Sequence, residues 1–63
     1  METITLYKDT NGNLWYYEGY DETDKFHKVT VVEEDNGHYI NTNITWYMTD
    51  KEFTNCIKIE VEV

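Results

Sequence analysis

Five residue types are absent from this 63-residue chain: alanine, serine, glutamine, proline and arginine. The missing arginine matters most, because five lysines stand against thirteen acidic residues and the net charge is −8. Proteins that bind the phosphate backbone rely on Lys and Arg and gain affinity by releasing the cations condensed on the nucleic acid. The composition therefore argues against direct nucleic-acid binding and favours a partner of positive charge.

Other scarcities limit the chemistry. Without serine, nucleophilic catalysis would depend on Cys56, a threonine or a tyrosine, and an enzyme is not expected. Cys56 is the single cysteine, which excludes an internal disulfide, and no Cys/His cluster has zinc spacing, so no metal or cofactor is predicted. No apolar run approaches the roughly 20 residues of a membrane span. A cytoplasmic protein is expected, in the host cytoplasm if the chain is viral.

The stretch from Phe26 to Tyr47 is predicted to be a β-hairpin that turns at Asn36-Gly37. Asn-Gly between alternating residues favours a type I′ turn, because that turn requires positive φ at both central residues. A two-residue loop there pairs Glu33 with Ile40, and further from the turn it pairs Val29 with Ile44. The predicted core face of this hairpin carries His27, Val29, Val31, Ile40, Ile44 and Trp46.

Two strands are expected before the hairpin. Glu2 to Lys8 alternates as a half-buried strand does, and Asn13 to Tyr20 is rich in aromatic residues. A two-residue turn at Asn11-Gly12 would pair Tyr7 with Tyr16. In that register the core face carries Ile4, Leu6, Trp15 and Tyr17, and Tyr7 points outward.

The remaining connections are polar. The segment 21–25 is predicted to be the loop between strands two and three, which pairs Tyr20 with Phe26 and Glu18 with Lys28. Thr49 and Glu52 have the spacing of a capping box, so one short helical turn is expected over 49–55. Residues 56–63 alternate between apolar and charged side chains, and they predict a fifth strand.

These elements predict a single all-β domain over residues 1–63. The parities agree with one antiparallel five-stranded meander, closed or half-closed into a small SH3-like or OB-like barrel. A domain of this size buries only about 60% of the surface of its unfolded chain and is marginally stable alone. A second copy packed on the sheet, as a homodimer, is the alternative way to cover it.

The candidate site lies on the face predicted to point outward. Several aromatic residues fall there, and in a meander the loop 21–25 lies at the same end as the turn 49–55. An acidic rim beside a tyrosine-rich face is therefore expected, and such aromatic surface usually marks an interaction site. The predicted partner-binding residues are Tyr7, Tyr16, Glu18, Tyr20, Asp21, Glu22, Asp24, Asp50 and Glu52.

The function that this pattern favours is that of a small acidic interaction protein. It would dock on a basic, nucleic-acid-binding surface of a host protein and act as an inhibitor, partly by charge mimicry. In size, charge and lack of arginine the chain is similar to phage-encoded inhibitors of restriction or CRISPR systems, and this resemblance is one of composition. The alternative is an oligomeric structural or ligand-binding β module whose surface aromatics stack on a neutral ligand.

Overall fold

A computed structural model describes residues 2–63 as one antiparallel sheet with one short helix. In chain order the elements are β1 (Thr3–Lys8), β2 (Leu14–Asp21), β3 (Phe26–Asp35), β4 (His38–Met48), α1 (Asp50–Thr54) and β5 (Ile57–Glu62). The five strands lie in the order β4-β3-β2-β1-β5. The all-β antiparallel prediction is confirmed. Within residues 2–63 the sheet is not closed, because β4 and β5 are its two edges.

The β3–β4 hairpin turns where the sequence predicts. Asn36 and Gly37 both have positive φ, 50° and 83°, and Glu33 pairs with Ile40 as expected. Further along, the register shifts by two residues near Asn43, whose φ is 61°. Asn tolerates this left-handed conformation better than most residues. A shift of two keeps every side chain on its predicted face, but the predicted pair of Val29 and Ile44 is wrong because Val29 lies opposite Trp46.

The β1–β2 turn differs from its prediction by one residue. Gly12 (φ 87°) is the residue of this turn with positive φ, and its amide donates to the Asp9 carbonyl at 3.1 Å. This is a three-residue loop in which glycine follows a tight turn, not a two-residue loop. Tyr7 therefore pairs with Trp15, which moves Tyr7 onto the face predicted to be the core. The expected outward position of Tyr7 is wrong.

A β-bulge interrupts β2 between Tyr17 and Gly19. The extra residue leaves Lys28 opposite Gly19 and Tyr20 opposite His27, so the predicted pairing of Glu18 with Lys28 is wrong. The predicted pairing of Tyr20 with Phe26 is also wrong. The Glu18 carboxylate instead accepts a hydrogen bond from the buried Thr30 hydroxyl at 3.2 Å.

The sheet has apolar residues on both faces. One face, called here the helix face, carries the buried cluster of Trp15, Val29 and Met48, and α1 packs against it. Strand alternation places Leu6 and Val32, which are buried but outside that cluster, on the opposite face. The prediction of a single core face is thus only partly correct. The one-residue difference in the β1–β2 register places Leu6 on the face opposite to Trp15.

The helix forms and ends as the sequence predicts. The Thr49 hydroxyl accepts a hydrogen bond from the Glu52 amide, and the Glu52 carboxylate accepts one from the Thr49 amide, which completes the capping box. Asn55 is the C-cap. At five residues α1 is too short to cross a bilayer. Residues 2–63 contain no helix that is long and apolar enough to do so.

Candidate functional site

The helix covers half of the helix face with a stack of aromatic rings. Phe53 lies 4.5 Å from the His27 ring, nearly parallel to it, and 4.8 Å from the Tyr7 ring. Tyr17 lies 5.0 Å from Phe53 and 6.0 Å from Tyr7. This region, called here the covered half, consists of Tyr7, Tyr17, His27 and Phe53. These four rings are each partly buried and pack on one another.

A chain of hydrogen bonds ties the start of the helix to the sheet. Asp50 Oδ1 lies 2.6 Å from His27 Nε2, and the Tyr17 hydroxyl lies 3.0 Å from His27 Nδ1. A carboxylate only accepts, so Nε2 carries the proton toward Asp50. In the neutral imidazole Nδ1 then accepts from the Tyr17 hydroxyl. Both ring nitrogens are satisfied within the protein, which indicates a structural role for His27.

Part of the predicted acidic rim forms beside Tyr20. This side chain is 44% exposed and its ring lies 4.9 Å from His27. Desolvation, followed by the negative charges of Asp50 and Glu22, raises the pKa of the Tyr20 phenol. Asp21 acts in the same direction, and its carboxylate accepts hydrogen bonds from the Thr23 and Asp24 amides of the turn. We call this region the acidic end, which comprises Tyr20, Asp21, Glu22, Asp24 and Asp50.

The other predicted site residues lie apart from the acidic end. Tyr7 is half-buried in the covered half, and Tyr16 is 38% exposed on the opposite face of the sheet. Glu18 occupies the bulge and is held by Thr30. Glu52 lies on the far side of the helix, where it faces a groove. The structure therefore brings five of the nine predicted residues together and separates Tyr7, Tyr16, Glu18 and Glu52 from them.

The half of the helix face that α1 leaves uncovered forms an open groove of about 390 Å³. Trp15 and Met48 line its buried floor, and the side chain of Trp46, 54% exposed, forms one wall. The opposite walls are the turn 9–13, the helix residue Glu52 and the C-cap Asn55. The volume is at the lower end of the range for ligand sites, roughly 300–1,000 Å³. The groove is thus wide enough for a side chain or a small ring.

Asp9 organises the turn that bounds this groove. Its Oδ1 accepts from the Asn11 and Asn13 amides, both at 2.9 Å. Its Oδ2 accepts from the Trp15 indole N–H at 2.9 Å and from the Asn13 side-chain amide at 3.2 Å. Desolvation disfavours the charge, but these hydrogen bonds outweigh it and lower the pKa of Asp9. Asp9 is therefore an anion whose hydrogen-bonding capacity is already filled.

The helix side of the groove adds further negative charge. Glu52 is exposed, and one of its carboxylate oxygens serves the capping box. Burial, together with Asp9 and Glu52, raises the pKa of the nearby Cys56 thiol and keeps it protonated. The thiol packs against the Met48 sulfur at 4.0 Å. Cys56 is therefore part of the packing, and the groove has a negative potential without a reactive nucleophile.

An uncharged strand edge continues the groove. The segment 39–49, which includes most of β4, contains no Asp, Glu, Lys or Arg, whereas 29% of the whole chain is charged. On the helix face Ile40 is 53% exposed and Ile44 is 61% exposed, in line with Trp46. These residues were predicted to be core. They are exposed because the five-residue α1, which contacts β3 and β4 next to Met48, is too short to extend along β4 over them. We call the groove together with Ile40 and Ile44 the open half.

Sequence reasoning missed the groove although it named most of its parts. The sequence predicts Trp46 on a core face and a two-residue turn at Asn11-Gly12. The signal that points to the groove is the helix length, since a helix of one or two turns cannot cover five strands. Over residues 2–63 no group of three His, Cys, Asp or Glu side chains is arranged to hold a metal ion.

Comparison with known proteins adds no relative. No protein-family model, no curated protein and no solved structure matches the chain.

Proposed function

We propose that this protein is a small acidic interaction protein that docks on a basic surface of another protein through its open half. The observation that supports this most strongly is the groove itself. It combines an exposed indole with two carboxylates, those of Asp9 and Glu52, and its lining contains no lysine. Aromatic side chains at the centre of an interface commonly supply most of the binding energy. Trp46 occupies that position in the open half.

The overall charge supports the same type of partner. A net charge of −8 repels acidic surfaces and attracts basic ones, and complementary potentials accelerate encounter more than they lengthen the bound state. The acidic end lies outside the groove, so its carboxylates serve as a rim that steers the partner. Trp46, Ile40 and Ile44 then provide apolar contact that salt does not screen.

The finer proposal is that the partner uses its basic surface to bind nucleic acid, so that docking inhibits it. The chain carries thirteen acidic residues for a surface of 4769 Å², so its negative charges are spread far more thinly than the phosphates of a duplex. Mimicry of nucleic acid would therefore be local. A virus-encoded or mobile-element inhibitor would compete with nucleic acid for the basic surface. Such competition requires only that the binding sites of the inhibitor and of the nucleic acid overlap.

A pull-down from a bacterial lysate at about 50 mM and about 300 mM salt, with identification by mass spectrometry, tests the proposal. The expected result is capture of proteins with basic nucleic-acid-binding surfaces that declines steeply with salt. The triple variant Asp21→Asn, Glu22→Gln, Asp24→Asn should slow association while it leaves the fold intact. Capture of neutral or acidic proteins, independent of salt, would contradict the proposal.

A second function has one observation in its favour. The Trp46 indole lies across the groove from the turn 9–13, which carries the amides of Asn11 and Asn13, and indole with polar side chains suits stacking on a neutral ligand. Binding of such a ligand would not depend on salt. The salt series therefore separates this alternative from the acidic docking protein.

A further inference from the structure

We propose that the groove holds an arginine side chain of the partner, with the guanidinium stacked on Trp46 and directed toward Glu52. This inference rests on the proposed function and specifies the chemistry of its central contact. Guanidinium groups stack on aromatic faces and donate hydrogen bonds from a planar edge, so one groove with an indole wall and a carboxylate rim satisfies both properties.

The hydrogen bonding of Asp9 favours a cation over a neutral hydroxylated ligand. Its two oxygens already accept four N–H donors at 2.9–3.2 Å, so they have little capacity left for the hydroxyl groups of a sugar. All four donors are uncharged amide or indole groups, which leaves the full negative charge of the carboxylate in place. Asp9 therefore contributes potential to the groove but few further hydrogen bonds, and a cation uses that contribution best.

Within the described part of the chain, no lysine or histidine pairs with either carboxylate of the groove. Within residues 2–63, the contact that meets the distance of a salt bridge is that of His27 Nε2 with Asp50 Oδ1, and it lies outside the groove. The five lysines of the chain are absent from the groove lining. The second oxygen of Glu52 is free of the capping box, which uses Oε1, and Asn55 adds an amide oxygen beside it. An arginine from outside would neutralise charge that the chain itself leaves uncompensated.

The inference can be tested without knowledge of the partner. N-acetyl-arginine amide is titrated into ¹⁵N-labelled protein, with the uncharged isostere N-acetyl-citrulline amide as the comparison. The arginine compound should shift the indole N–H of Trp46 and the side-chain amide of Asn55 in a saturable manner. The citrulline compound should bind about tenfold more weakly, since it lacks the charge that both the indole face and Glu52 recognise.

Two pairs of variants locate the contact. Trp46→Ala should weaken binding of the arginine compound about tenfold, whereas Tyr47→Ala, which removes the neighbouring aromatic from the other face of β4, should change it less than twofold. Glu52→Gln keeps an acceptor for the capping box and removes the charge, so binding should fall about threefold. Glu60→Gln removes one charge from β5, away from the groove, and should have little effect.

The inference is overturned if the arginine and citrulline compounds bind equally, which would favour a neutral ligand. It is also overturned if no saturable shift occurs, or if the shifts centre on Tyr20 and Asp50 at the acidic end. A failed titration together with salt-sensitive capture of basic proteins refutes the arginine contact alone. A successful titration without capture of any basic protein refutes the proposed function alone.

Discussion

The covered half and the open half lie on the same face of one sheet, yet they differ in what lies above them. In the covered half, Phe53 packs on Tyr7, Tyr17 and His27. In the open half, the larger side chain of Trp46 is 54% exposed. The alternation of a strand determines which face a side chain occupies, and the length of the covering element determines whether that side chain is buried.

This difference separates stability from binding. The covered half concentrates ring packing and the Tyr17–His27–Asp50 hydrogen bonds, so it should carry much of the folding energy. The open half exposes Ile40, Ile44 and Trp46 along an uncharged edge. Mutation of these three side chains should therefore change the free energy of unfolding little. Exposed apolar surface of this kind in a highly charged protein is typical of an interface.

The largest expected effect comes from breaking the cover. Phe53→Ala should lower the free energy of unfolding by about 3 kcal/mol, because it removes the ring on which the covered half packs. That is a large part of the total for a domain of this size, on the order of 5 kcal/mol. Trp46→Ala in the open half is the matched control and should cost about 1 kcal/mol or less. Urea unfolding followed by circular dichroism measures both, and equal losses would contradict the comparison.

The next effect concerns the hairpin that aligns β4 with β3. Gly37 has a φ of 83° and no heavy atom within 4 Å of a Cβ built on it, so a substitution there is opposed by backbone strain and not by crowding. Gly37→Val should cost about 2 kcal/mol, since β-branched residues rarely adopt this conformation. Gly37→Asn, which tolerates positive φ, is the control. An unchanged melting temperature for the valine variant would show that the turn is not the one described.

A smaller effect depends on pH. The pKa of Asp9 is lower in the folded protein than its ordinary value of 3.8, so its stabilising effect is present above that value and is lost as the pH falls through the folded pKa. At pH 7 Asp9→Asn should lower stability by roughly 1 kcal/mol, and the difference from the wild type should shrink as the pH falls below 3.8. Asp24→Asn, the same chemical change in the exposed turn 22–25, is the control variant. Thermal melts between about pH 2.5 and 7 measure the stability difference between each variant and the wild type.

Local signals predicted much of the fold. Asn36-Gly37 identified the hairpin turn, Thr49 and Glu52 identified the helix start, and the alternation of residues 57–62 identified β5. Each signal is complete within a few residues, because the hydrogen bonds that fix it form locally. The order of β1 to β4 then followed from short connections, whereas the position of β5 beside β1, at the opposite edge from β4, did not.

The registers were harder to predict because more than one loop suits the same residues. Asn11-Gly12 is compatible with a two-residue turn and with the three-residue loop that forms, and the four hydrogen bonds to Asp9 favour the longer loop. Gly19 within a strand is a signal for a bulge, and that bulge brought Tyr20 to His27. The groove could not be predicted in this way, because it depends on which part of the sheet α1 leaves uncovered. No local sequence pattern indicates that.

The most direct test of the open half as a docking surface compares the proteins that wild type, Trp46→Ala and Tyr47→Ala capture from the same lysate, quantified by mass spectrometry. Trp46 and Tyr47 are neighbours on β4 with similar exposure, 54% and 51%, and they point to opposite faces of the sheet. The account predicts that basic proteins retained by the wild type fall about tenfold with Trp46→Ala and persist with Tyr47→Ala. Equal capture by both variants, or a loss confined to Tyr47→Ala, would contradict it.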